Sequence, residues 1–313
     1  MKGYACVGIL VFAWVVGCQV FMARADGGPH GVSSPSMSDC LICHRAHEAR
    51  GTLRENLRIV DLCLACHDAA AFGSHTDVMD GLYQGGGVPR GLRGGGFVYG
   101  WMKTSDTPGL PLLRPTTSTH LWDGREGIPW GVDTPGGVMS RMELSCLVCH
   151  NPHGRSGPDG RPTYRVLRPT PLGVQNLYVV VPDEEQKRYM IDDPSGRYFG
   201  QRYPLRIFLQ LAYWCALCHQ RYLITADHRH RDLSSYRHVT AGWPQTEEGR
   251  RTWVKGPLSC LTCHVAHGTT ARMEGYAKQV SLPGEEEMLV GDEYSALLRL
   301  DNRGVCLACH RPG

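Results

Sequence analysis

Twelve of the 14 cysteines fall into six pairs of identical spacing, and a histidine follows every pair. The motifs are Cys40/Cys43 with His44, Cys63/Cys66 with His67, Cys146/Cys149 with His150, Cys215/Cys218 with His219, Cys260/Cys263 with His264, and Cys306/Cys309 with His310. Two thiols three positions apart lie on one side of a helical turn, where both can add to the vinyl groups of one haem. The adjacent imidazole then stands at the iron as its proximal ligand. With 15 histidines in 313 residues, a histidine follows a given pair by chance about one time in twenty, so six in six is not coincidence. A zinc ribbon accounts for paired cysteines but not for the histidines, and a redox dithiol does not come in sixes.

The second axial ligand decides what such irons can do. Nine histidines remain: His30, His47, His75, His120, His153, His228, His230, His238 and His267. His47, His153 and His267 each stand three residues after a proximal histidine, in CHRAH, CHNPH and CHVAH. Residues three apart on a turn are neighbours on one face. Such a histidine cannot reach round to the far side of the haem its neighbour holds, so it is expected to ligate another haem, the next one along the chain. On this expectation His47 serves the Cys63/Cys66 haem, His153 the Cys215/Cys218 haem and His267 the Cys306/Cys309 haem, while His120 serves the Cys146/Cys149 haem from a separate loop.

These offsets divide the chain into three tandem units, each a C-x-x-C-H-x-x-H followed by a plain C-x-x-C-H, with first cysteines at 40/63, 146/215 and 260/306. One upstream histidine pairs with each unit: His30, His120 and His238. His30 stands only 10 residues before Cys40, against 26 for His120 before Cys146 and 22 for His238 before Cys260. His75 therefore competes with His30 in the first unit. His228 and His230, in DHRHRD, read as solvated residues, although either could replace His238.

In CHNPHG, CHVAHG, TTSTHLWDG and the closing LLRLDNRGVCLACH, the chain resembles the doubled-CXXCH multihaem cytochromes. It is broadly similar to the hexahaem electron-transfer cytochromes found in the periplasm or outside the cell in metal-reducing bacteria, cytochrome-filament subunits among them. The resemblance implies closely spaced haems with two histidine ligands each, and carries over to His47, His153, His267, His120 and His238. The first unit departs from it, reading CHRAHE without the usual glycine.

The N-terminus directs the chain out of the cytoplasm. Lys2 precedes an apolar run, and Ala23-Arg24-Ala25 reads as a small-x-small cleavage site, making 1–25 a signal peptide. A lipoprotein signal at Cys18 and an uncleaved span are the alternatives. Every version leaves the remainder exported: periplasmic, associated with an outer membrane, or extracellular. The mature chain divides into haem pair 1 (26–80), a Gly/Pro-rich connecting segment (81–140), haem pair 2 (141–225) and haem pair 3 (226–313). With 288 residues for six haems, the cofactors themselves must supply most of the core. The expected fold is a multihaem cytochrome c: mostly irregular coil with short α-helices packed round a chain of haems, and little β-structure. Gly and Pro contribute 38 and 20 residues, a composition that breaks chains into turns. Helices are expected at about Leu205–Gln220 and Asp292–Leu300, and a strand at Tyr178–Val181. Trp101, Trp122 and Trp130 in the connecting segment imply that part of it packs on a haem or a partner.

Loss of Lys2 and Arg24 with the leader leaves 31 basic and 30 acidic residues, and six oxidised haems at about −1 each, through their propionates, bring the holoprotein to about −5. Five Lys stand against 28 Arg, and Arg is the better bidentate partner for carboxylates. No basic stripe suggests nucleic acid. The expected function is electron transfer without catalysis of its own. Its partners would be other multihaem cytochromes, a membrane quinol-oxidising complex or an outer-membrane conduit, and self-assembly is possible. A reductase of a nitrogen or sulfur oxyanion and a structural subunit of a conducting filament are the competing functions.

Overall fold

The computed structural model describes residues 30, 43–44, 59–69, 71, 74–85, 90–100, 113–120, 126–127, 129, 142–154, 163–174, 177–182, 205–223, 241–242, 258–273 and 295–302. The leader, Trp101, Trp122 and Trp130 lie outside these residues, and so do Cys40, Cys306, Cys309, His47, His228, His230, His238 and His310. Among the described residues, no helix is long and apolar enough to cross a membrane.

Four helices are described along their length, and all four carry C-x-x-C-H cysteines: α1 (Ile59–His67), α2 (Cys146–Cys149), α3 (Leu205–Cys215) and α4 (Cys260–Cys263). Two designs alternate. In α1 and α3 an approach helix, amphipathic in α3, delivers the motif at its C-terminal end. In α2 and α4 the motif is a single turn, closed by hydrogen bonds from His150 N to Cys146 O (2.8 Å) and from His264 N to Cys260 O (2.9 Å). Ser259 begins α4 with a capping box: its hydroxyl accepts from Leu261 N at 3.4 Å while Thr262 Oγ1 accepts from Ser259 N at 2.9 Å. Of the first motif, Cys43 is helical and His44 is not, the same change of backbone that ends α2 and α4.

Helix α3 ends at Cys215, short of the expected Gln220. Its last turn tightens through i+3 bonds, Leu217 N to Trp214 O and Cys218 N to Cys215 O, before a 3₁₀ turn at Gln220–Tyr222. Ile207 and Leu211, one turn apart, bury one face of α3 against Tyr164, Leu167 and Val181, with Cys149, Trp214 and Leu261 at the edge. A neighbouring cluster, Val174 and Leu217, packs on Cys218 and Trp214. Apolar packing in the second unit therefore closes directly on cysteines of the C-x-x-C-H motifs.

Strands are two residues long and antiparallel: β1 (Thr76–Asp77), β2 (Leu82–Tyr83) and β3 (Arg90–Gly91) form one sheet. The two-stranded pairs are β4 (Tyr99–Gly100) with β5 (Arg114–Pro115), β6 (Ser118–Thr119) with β11 (Gly268–Thr269), β7 (Glu126–Gly127) with β8 (Met142–Glu143), and β9 (Ala241–Gly242) with β10 (Leu258–Ser259). Most contain a glycine or proline, which stops each ladder early. Residues 178–181 join no ladder; the contacts there include the adjacent isolated bridge Thr163↔Pro182 and bonds from Tyr164 N to Val181 O and from Val179 N to Pro169 O. Nor do residues 295–300 form a helix, because Ala296 and Leu297 take φ of 50° and 62°.

Parts of the segment 81–140 do more than connect. Strand β6 pairs with β11 of the third unit, Gly95 bridges to Gly268, and His267 N donates to Gly94 O at 2.7 Å. Glycine is required here: a Cβ on Gly95, whose φ is +74°, would collide with the Gly268 carbonyl, and one on Gly268 would meet Gly96 O.

Candidate functional site

At the second motif, α1 ends on His67 and the chain turns back so that Val78 N donates to His67 O. That return brings Thr76 Oγ1 to 2.8 Å and Ser74 Oγ to 3.3 Å from His67 Nδ1.

The third and fifth motifs share another device, repeated in detail. His150 and His264 leave their single turns in extended conformation, both at φ −111°. Each bridges a leucine, Leu167 or Leu298, within a clamp of matching build. In the clamps Arg168 N and Arg299 N donate to Cys149 O and Cys263 O. Arg168 Nε and Arg299 Nε donate to Leu147 O (2.7 Å) and Leu261 O (2.9 Å), the residue after each first cysteine. The residues that turn the clamp, Arg165-Val166 and Ala296-Leu297, all have positive φ. This strain aims the carbonyls of Arg165 and Ala296 at His150 Nδ1 (2.9 Å) and His264 Nδ1 (2.8 Å).

A carbonyl only accepts, so each of these imidazoles carries its proton on Nδ1 and presents the Nε2 lone pair. His30 Nδ1 does the same to Pro152 O (2.8 Å), and His120 Nδ1 to Ala266 O (2.6 Å). That tautomer is the one an iron ligand bound through Nε2 requires. The rings are also held neutral. Burial, then the nearby His30 and His150, bring His67 down to about 4, opposed by a backbone hydrogen bond at Thr76. Burial likewise holds His120 at about 4, opposed by its bond to Ala266, and His267 at about 3, helped by His150. His150 and His264 are lowered for the same first reason.

Four pairs of imidazoles face one another at nearly constant spacing. Ring centres are 6.0 Å apart for His30–His67, 6.2 Å for His44–His153, 6.1 Å for His120–His219 and 6.4 Å for His150–His267. Their interplanar angles run from 9° to 65°, so ring stacking does not fix the distance; Phe97, which does stack on His267, sits at 4.6 Å. Two metal–nitrogen bonds of about 2 Å, with the reach from each nitrogen to its ring centre, span about 6 Å whatever the angle between the rings. The donor set and its spacing fit haem iron with two axial histidines.

The pairing departs from the expected order. His153 faces His44 of the first unit, not His219; His267 faces His150, not a later motif; and His120 faces His219, not His150. The helical-neighbour expectation fails because His150 and His264 are extended, so the three following residues leave the turn and carry His153 and His267 back toward the preceding unit. Pro152 takes part in the same crossing by accepting from His30. His75 is exposed and set edge-on to Tyr83 at 6.1 Å, whereas His30 stands opposite His67. Among the described residues, no imidazole stands opposite His264.

The described cysteines of the C-x-x-C-H motifs, Cys43, Cys63, Cys66, Cys146, Cys149, Cys215, Cys218, Cys260 and Cys263, are all half-buried; Cys40, which the sequence pairs with Cys43, lies outside the described residues.

Motifs two to five show both cysteines, and some of these interact across motifs. Cys146 lies in hydrogen-bonding reach of Cys63, which lowers Cys63 to about 7 and pushes Cys146 up. The Cys215–Cys260 pair repeats this, with Cys215 raised and Cys260 lowered. Burial raises Cys66, and it pushes Cys149 up to about 12 and Cys218 to about 11. Motifs two and three, and motifs four and five, therefore adjoin across the boundaries between units. The Leu-Arg clamps were missed in the sequence, where Leu167-Arg168 and Leu298-Arg299 are two of seven Leu-Arg pairs and nothing marks them out.

A family model described as the doubled CXXCH motif matches residues 34–72. No curated protein and no solved structure matches the chain. The family match supports a multihaem c-type cytochrome, with haem c bound covalently at CXXCH motifs and electron transfer as its general role.

Proposed function

We propose that the chain is an exported carrier of six covalent haems that passes electrons along a row of irons, each held by two histidines. The observation that carries this reading is the set of four imidazole pairs at 6.0–6.4 Å. Bound haem supplies one-electron exchange between ferric and ferrous iron. The chain's own residues do the rest. The Cys63/Cys66, Cys146/Cys149, Cys215/Cys218 and Cys260/Cys263 thiols anchor, as do those at Cys40/Cys43 and Cys306/Cys309. Nδ1 hydrogen bonds fix the imidazoles of His30, His67, His120, His150 and His264, and two axial histidines leave no iron face for a substrate at the four paired sites. That last point favours a carrier over a reductase.

The adjacency of motifs two with three and four with five supports passage in chain order. His44 and His153 are the exposed pair of the four, which favours the first site as the point of exchange with a partner. The partners that fit are other multihaem cytochromes, a membrane quinol-oxidising complex or an outer-membrane conduit, in respiration or in electron delivery outside the cell; assembly of copies into a conducting filament uses the same sites.

The test is the intact mass of the denatured protein together with the electron paramagnetic resonance of the native one. Six added haems, all low-spin, are expected. A stoichiometric high-spin signal in the untreated protein would overturn the carrier reading in favour of a reductase.

A further inference from the structure

The imidazole hydrogen bonds are not all alike. His30, His120, His150 and His264 each give their Nδ1 proton to a backbone carbonyl. His67 meets two hydroxyls instead, Thr76 Oγ1 at 2.8 Å and Ser74 Oγ at 3.3 Å. These hydroxyls are themselves joined at 3.0 Å, and Ser74 Oγ donates to Thr76 O at 3.2 Å while accepting from Thr76 N. Strand β1 and its pairing with β2, Thr76 to Tyr83 and Asp77 to Leu82, hold the group in place.

A hydroxyl shared in this way is a weaker acceptor than an amide carbonyl. The stronger the acceptor on Nδ1–H, the more imidazolate character the ring gains and the better it stabilises the ferric over the ferrous state. We propose that the Ser74–Thr76 hydroxyl pair is a tuning device that sets the potential of the haem on Cys63/Cys66 above the value a carbonyl acceptor at His67 would give. Thr76 and Ser74 are positioning residues: they act through His67 and touch no iron. At the adjoining third motif the matching proximal imidazole, His150, has the carbonyl of Arg165. Neighbouring sites of one chain thus carry proximal ligands of different basicity, which makes the second site a step in the potential profile.

The inference rests on reading His67 as an iron ligand. Its test is a spectroelectrochemical titration of the full-length holoprotein, with low-spin haems counted in each variant. The component belonging to this haem is identified as the one lost from the low-spin envelope in His30→Ala. Thr76→Val, which keeps the β-branched shape and deletes the acceptor, should move that component to higher potential. Thr76→Asn, which supplies an amide carbonyl, should move it lower, and Thr76→Ser should leave it in place. Ser74→Ala should give a smaller upward shift of the same component, and stands in for Thr76→Val if that variant fails to take up its full haem complement. An unmoved component in both deletions, with all haems low-spin, overturns the inference; so does an equal shift of every component. Failure of the ligand reading looks different, since His30→Ala would then leave every haem low-spin.

Discussion

Replacing His153 with alanine tests the crossing of ligands between units, because its effect should appear at a haem anchored more than a hundred residues upstream. The ring of His153 stands 6.2 Å from that of His44, and both are exposed. Its removal should turn one haem in six high-spin while leaving all six covalently attached, since the Cys40/Cys43 thioethers and His44 are untouched. On the proposed ligation, a His44–iron–His153 link would also close a loop of about 110 residues, and in the chain-entropy model a cross-link of that span stabilises the folded state by about 4–5 kcal/mol. Thermal unfolding should therefore shift down even though the deleted side chain lies at the surface, where truncation usually costs less than about 0.5 kcal/mol. The decisive comparison uses Cys40→Ala/Cys43→Ala, which removes the first haem. In that five-haem background His153→Ala should add no high-spin signal and little further destabilisation. A high-spin haem still appearing there would show that His153 serves another iron, as the expected service to the Cys215/Cys218 haem requires, and would sink the crossed scheme.

Two further results are expected. Gly94→Ala should disturb the haem on Cys146/Cys149, because the new methyl would lie 2.9 Å from His267 Nδ1 and 3.1 Å from its Cε1. An overpacking cost of about 1–3 kcal/mol, with a changed low-spin signature at that haem, is the outcome to look for, and an unaltered spectrum counts against His267 as its ligand. Acid should release ligands in a defined direction: His67 and His120 at about 4 and His267 at about 3 lie below an unfolded value near 6.5. The unfolded chain then binds protons that the folded one excludes, so the stability these groups confer is full above about pH 6.5 and falls as pH drops through 4 and 3. Low-spin absorbance and melting temperature followed from pH 7 to 3 should decline together, and stability that rises on acidification over that interval would contradict the assignment.

The chemistry of this chain was legible in its sequence because covalent spacing is local. Two cysteines and a histidine within five residues must share a turn, and the motifs on α1 to α4 do. That His30, His120, His153 and His267 would stand near motif histidines was legible too, and each stands opposite one. Their partners were not. Choosing them required the backbone angle at a single residue: a helical His150 would keep His153 beside it, whereas an extended one sends it to another unit. That angle is imposed from outside the motif, by Leu167 bridging to His150 and by Arg168 reaching Leu147 O. The same tertiary demand explains why 295–300, the described part of the helix expected at 292–300, is not helical. Its apolar residues suit a helix, but Ala296 must turn to positive φ to bring its carbonyl to His264. Local propensity is worth a few tenths of a kcal/mol per residue, and a buried imidazole proton left without an acceptor costs about 1–3 kcal/mol. The ligand's hydrogen bond wins, and the helix is given up. Strand β6 and the glycines at 94–96 were read as connecting chain for a related reason. Their role is to admit His267 and the Gly268 backbone from the third unit, and a glycine records that something approaches closely without recording what.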